Sequence, residues 1–76
     1  MVKVGDDRVK IKAKREVFLK TRVSKGLSQR ELADLAGLSH SYICLIERSN
    51  KSVSPSTAKR LCDVLEKELD ELFCIG

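Results

Sequence analysis

An all-α domain of five short helices is predicted for this chain, on three observations. Apolar residues recur at helical spacing from about Arg15 onward, supplied mostly by Leu, Val, Ile and Ala. Stop and start residues interrupt that pattern at short intervals, at Gly26-Leu27-Ser28, Gly37-Leu38-Ser39 and Ser54-Pro55. Apolar content of 42% and charged content of 34% in 76 residues suit one small folded domain with a modest core, not a disordered chain.

The opening stretch, MVKVGDDRVKIKAKR, alternates apolar and charged residues around a turn-like GDD. It reads equally as a short β-hairpin or as a flexible basic arm, and we set residues 1–14 apart as that unit. A lone hairpin is marginal unless it packs on the helices or pairs across a dimer. The remainder, 15–76, forms the helical domain. Its first helix starts near Arg15, turns Val17, Phe18 and Thr21 to one face, and stops at Gly26. Ser28 with Glu31 three places on is a capping box, and Leu27 with Leu32 can staple across it. The second helix therefore begins at Ser28 and carries Leu32, Ala33, Leu35 and Ala36 inward. Gly37 can end it in the left-handed conformation, and Ser39 can cap a third helix running to about Arg48 with Ile43 and Ile46 inward. The polar stretch SNKSVSPS follows. Ser54 can cap a fourth helix with Pro55 in its first turn, where a missing N–H costs nothing. Ala58, Leu61, Cys62 and Leu65 are its apolar stripe. Leu69 to about Phe73 is a last short helix.

Residues 28–48 thus hold two short helices joined by a three-residue turn, a helix-turn-helix. Counted from Gln29, Ala33 is fifth, Gly37 ninth, Ile43 fifteenth and Ile46 eighteenth. Ala33 is small where two helices cross, Gly37 makes the turn, and Ile43 and Ile46 anchor the second motif helix. Its outer face then carries His40, Ser41, Cys44 and Leu45, with Tyr42 and Arg48 beside it.

Charge is polarised. Residues 1–25 hold nine Lys or Arg against three acids, and residues 61–76 hold one Lys against five acids. A polyanionic partner at one end fits this pattern, and so does a solvated basic face. Three cysteines without a C-x-x-C pair, and a single His, give no zinc pattern. Their odd number, with no signal peptide, implies free thiols in a reducing cytoplasm. No apolar run reaches membrane-spanning length. Paired catalytic carboxylates, a nucleophile–base signature and a glycine-rich phosphate loop are all missing, so no enzyme, cofactor or small-molecule ligand is expected.

The stretches GLSQRELADLAGLSHSYICLIERS, VSPSTAKRLCDVL and LDELF resemble the lambda-repressor/Cro-like (Xre-type) helix-turn-helix regulators over about residues 15–73. The resemblance implies a compact five-helix lambda-repressor-like DNA-binding domain whose second motif helix lies in the major groove. It implies base-reading positions at His40 and Ser41, with Cys44 and Leu45 further along. Leu45 departs from the polar or basic residue frequent there and could meet a thymine methyl. It implies phosphate contacts from Gln29, from Asn50 and Lys51 in the following loop, and from Tyr42. Lys14 joins them if the basic arm wraps DNA. It implies a structural ion pair between Arg22 and Glu47. Ser49 stands where the family has glycine, Thr21 where a core leucine is usual, and Glu66-Lys67 where small or apolar residues separate the fourth and fifth helices. The last departure leaves those helices separate or fused.

Several of these residues also have an ordinary reading. Tyr42 can be partly core, Cys44 a small surface filler, and Lys59 and Arg60 plain surface charges. The expected function is sequence-specific, DNA-binding transcription regulation in a bacterial or phage-encoded cytoplasmic protein. A homodimer on a near-palindromic operator is expected, because one short helix reads few bases. Leu69, Leu72, Phe73 and Ile75 are the candidate dimer surface. With no room seen for a second domain, a phage- or mobile-element-type repressor and a restriction–modification controller fit. An antitoxin or a protein-interaction adaptor on the same fold is the alternative.

Overall fold

The computed structural model describes residues 10–76. The order of elements is β1 (Ile11–Ala13), α1 (Arg15–Ser24), α2 (Gln29–Ala36), α3 (His40–Glu47), α4 (Pro55–Leu65), α5 (Leu69–Leu72) and β2 (Phe73–Ile75). The five helices enclose a core of Phe18, Leu32, Ile43, Ile46, Leu61, Leu65, Leu72 and Phe73, all fully buried. Phe18 and Phe73 meet edge to face, with centroids 6.0 Å apart.

Helix starts follow side-chain capping. Ser28 Oγ accepts the Glu31 N–H at 3.0 Å while Glu31 Oε1 accepts the Ser28 N–H at 2.8 Å, completing the capping box. Ser39 Oγ accepts from Tyr42 N–H, and Ser54 Oγ from Thr57 N–H. Helix ends repeat one device four times. Gly26, Gly37, Ser49 and Glu66 hold φ of 73°, 69°, 61° and 58°. After each, the next residue donates its N–H five places back: Leu27 to Arg22, Leu38 to Ala33, Asn50 to Leu45 and Lys67 to Cys62. This is the closure that satisfies otherwise unpaired helix carbonyls. Two of the family departures, Ser49 and Glu66, are therefore the residues that take up the left-handed conformation without being glycine. Glu66 ends α4, so the fourth and fifth helices are separate.

Three readings of the sequence need correction. Val17 and Leu35 are 39% and 62% exposed, not inward. In both short helices better-placed residues already fill the core side: Phe18 and Thr21 in α1, and Leu32, Ala33 and Ala36 in α2. Phe73 lies not in the last helix but in β2, which pairs antiparallel with β1 in the register Ile11↔Ile75, Lys12↔Cys74 and Ala13↔Phe73. Residues 11–13 and 73–75 thus form a two-stranded ribbon across the helices. Ile11 and Ala13 are buried in the core, so these residues belong to the helical unit. On its other side β1 is held by the loop after α3, through Val53 N–H to Ile11 O at 2.9 Å and Ser49 Oγ to Ala13 O. The GDD turn, Val2 and Val4 lie outside the described residues.

Candidate nucleic-acid interface

The turn between α2 and α3 fixes which face of α3 meets solvent. Ala33 and Ala36 are 1% exposed, and Ile43 and Ile46 are fully buried. Small residues on α2 let the backbones approach, and the two isoleucines lock α3 at its inner face. With that face committed, Ser41, Leu45 and Arg48 stand exposed, while His40 and Cys44 are half-buried along the same side. Arg60 reaches from α4 to the end of α2, where its Nη1 donates to the Ala36 carbonyl at 3.2 Å. The sequence reading took Arg60 for a plain surface charge. It is a tie that steadies the turn, and only knowledge of how α4 crosses α2 could reveal it.

A chain of polar contacts joins the first three helices. Arg22 Nε and Nη2 donate to Glu47 Oε1 and Oε2 at 2.7 and 3.0 Å, and Arg22 Nη1 donates to the Leu27 carbonyl at 2.8 Å. The paired side chains are only 11% and 10% exposed. The Glu47 hydrogen bond raises the Arg22 pKa above its ordinary value, against the opposing effect of burial. Glu47 Oε2 also accepts from Gln29 Nε2 at 3.1 Å. Gln29 Oε1 accepts from the Cys44 thiol at 3.1 Å, and Cys44 Sγ lies 3.6 Å from His40 Nε2. The fork geometry of Arg22 engages both Glu47 oxygens, and the remaining acceptor capacity of Oε2 orients Gln29. Among the described residues no buried side-chain N or O atom is left without a partner. Sequence reasoning placed Arg22 with Glu47 but missed that Gln29 and Cys44 extend the pair to His40.

The remaining candidates separate in space. Asn50 and Lys51 are exposed in the loop after α3. Tyr42 is half-buried and packs against the core. Lys14 donates through Nζ to the Asp70 carbonyl at 2.6 Å, so its ammonium is engaged at α5. Among the described residues no three His, Cys, Asp or Glu side chains converge on a metal position. The three cysteines are free thiols. No helix of the described residues is long and apolar enough to cross a membrane.

The Helix-turn-helix family model HTH_3 matches residues 19–72. The chain belongs to the helix-turn-helix family. The HTH-type transcriptional regulator PuuR of Escherichia coli (strain K12) is 44% identical over 52 residues, covering 68% of this chain. This helix-turn-helix chain spans 28% of the length of PuuR. Several solved structures share the fold. The restriction-modification controller protein C.AhdI from Aeromonas hydrophila is 38% identical with a TM-score of 0.68, over 74% of this chain and 81% of that one. SinR, a master regulator for biofilm formation solved in complex with DNA, is 31% identical with a TM-score of 0.65, over 70% of this chain and 86% of that one.

One expectation for the helix-turn-helix chain fails on burial. Leu72 and Phe73 are 0% and 1% exposed within a single chain, so they are core residues and not a dimer surface. Leu69 is half-buried against the core, and Ile75, 53% exposed on β2, is the one of the four left open. Apolar spacing near a chain end cannot tell a lid on the core from a face for a partner.

Proposed function

We propose that this protein is a sequence-specific DNA-binding transcription regulator, without enzymatic activity, acting as a repressor of the phage, mobile-element or restriction–modification controller type. The carrying observation is the exposed start of α3, with Ser41 open and His40 half-open, on a helix whose inner face is locked by Ile43, Ile46 and the Arg22–Glu47 pair. A rigid short helix with polar residues at its first turn is what base-edge reading in the major groove requires. His40 and Ser41 read bases, and Leu45, 39% exposed, offers an apolar contact to a thymine methyl. Cys44, bonded to Gln29, supports that face more than it reads. Asn50 and Lys51 grip phosphate in the loop after α3, and Tyr42 offers its hydroxyl to phosphate from the first turn of α3. Gln29 retains one amide N–H for phosphate after its bond to Glu47. Lys14, tied to Asp70, is the weakest of the phosphate candidates. The regulator names of PuuR and C.AhdI, and the DNA bound in the SinR structure, support this reading.

The protein acts in the cytoplasm of a bacterium, or as a phage product there, as a homodimer on a near-palindromic operator. Two copies of a short recognition helix give the discrimination one lacks. The test is selection from a random duplex library at two salt concentrations. Enrichment of a near-palindrome with half-sites about one helical turn apart supports the reading. Binding without enrichment, or no binding at low salt, overturns it.

A further inference from the structure

We propose that the terminal ribbon is a second phosphate-binding surface, in which Lys10 and Lys12 continue the grip of Asn50 and Lys51 onto the phosphodiester backbone flanking the half-site. This rests on the DNA-binding reading above and extends it to residues outside the helix-turn-helix. An open groove of about 660 Å³ runs between the ribbon and the loop after α3, lined by Lys10, Lys12, Asn50, Lys51, Ser52 and Cys74. Three of the lining residues are lysines, Gly76 completes the lining, and no Asp or Glu side chain contributes to it.

The placement follows from backbone geometry. Strand alternation sends Ile11 and Ala13 into the core and leaves Lys12 exposed opposite Cys74. Lys10 is exposed at the same parity, and its N–H and C=O both bond Gly76, each at 2.9 Å. Val53 N–H to Ile11 O locks the 50–53 loop to β1, so the cations of loop and strand share one rigid frame. Lysines on a paired strand are already ordered before DNA arrives, whereas lysines on an arm would lose backbone freedom on binding. Among the described residues Lys10, Lys12 and Lys51 make no ion pair, unlike Lys25 with Glu66 or Lys59 with Asp63. The loop that grips phosphate beside the recognition helix is therefore continuous with a cationic strand, as a track along one DNA backbone would need.

The experiment measures affinity of the full chain for a long operator duplex as a function of salt. Wild type is compared with Lys10→Gln/Lys12→Gln, with Lys51→Gln, and with a charge-matched control, Lys20→Gln/Lys67→Gln, whose residues line a different cleft. Circular dichroism confirms that each exposed-lysine variant is folded. In the proposed dimer four lysines are lost per operator, so the ribbon variant should flatten the log–log salt slope by about 4, and raising salt from 50 to 200 mM should cost roughly a hundredfold less affinity than in wild type. The loss should be equal on operator and scrambled DNA, and should vanish on a duplex trimmed of its flanks. An unchanged slope, or an equal drop in the control, overturns the proposal. If Lys51→Gln flattens the slope and the ribbon variant does not, the ribbon proposal fails and DNA binding stands. If wild type binds no duplex at low salt, both fail.

Discussion

Ser49 and Glu66 show how much a single backbone angle can decide. Each sits at positive φ, where an L side chain crowds the following carbonyl at a cost of roughly 1 kcal/mol. Glu66→Gly should stabilise the fold by about 0.5–1 kcal/mol, partly offset by greater freedom of the unfolded chain. It forgoes the exposed Lys25 pair, which contributes little. Urea denaturation checks this, and a loss of stability would mean that the pair matters more than the strain. Ser49→Gly gains less, because it also loses the bond to Ala13. Glu47→Ala works in the opposite sense. It leaves the Arg22 guanidinium, 11% exposed, without its carboxylate and should cost about 3 kcal/mol. It also frees the Gln29 amide, so DNA affinity should fall even where the variant is folded.

At the scale of elements, capping sets where each helix starts. Ser28→Ala and Ser39→Ala should each cost about 1 kcal/mol in thermal or urea unfolding. The Glu31 carboxylate is held below its ordinary 4.5, first by the Ser28 backbone N–H and then by its hydroxyl. Lys25 lowers Glu66 from the same value. Folded values below unfolded ones mean that this stability is present above pH 4.5 and is lost as pH falls through the lowered values. Glu31→Gln should give a shallower acid limb than wild type, and an identical limb would contradict the capping role. These local signals were legible in the sequence, because Ser28, Glu31, Gly37, Ser39 and Pro55 act on their own neighbours. Ser49 and Glu66 were visible only as departures from a family pattern. Nothing in their chemistry announces a left-handed residue. Val17 and Leu35 were misread because an eight- or ten-residue helix has room on its inner face for only part of its apolar set.

For the whole molecule, what the sequence left open is what needs long-range contact. The strand character of residues 11–13 was present in their alternation, but their partner lay at the far end of the chain. The same closure buries Leu72 and Phe73. Phe73→Ala should cost about 3–5 kcal/mol, since it removes a buried ring packed edge to face against Phe18 and the residue that seats the ribbon. Leu72→Asp should unfold the chain and says nothing of assembly. Ile75→Asp is the informative variant for the proposed homodimer: sedimentation should show a folded chain with weakened self-association, and unchanged association would remove Ile75 from the proposed interface. The candidate recognition face was read from spacing because Ile43 and Ile46 fix it by elimination. Arg60, the Gln29–Cys44 link and the cationic ribbon were not, because each depends on how separate elements cross.

The measurement that most directly tests DNA reading by α3 is the ratio of affinities for the selected operator and a scrambled duplex, at one salt concentration. The comparison is among wild type, His40→Ala/Ser41→Ala and Lys51→Gln. Base reading by the start of α3 predicts that the double variant loses the ratio by at least tenfold, from about 1–3 kcal/mol per base contact. Lys51→Gln should lower both affinities together and leave the ratio intact. A double variant that keeps the wild-type ratio and prefers the same operator would show that α3 is not the reading helix.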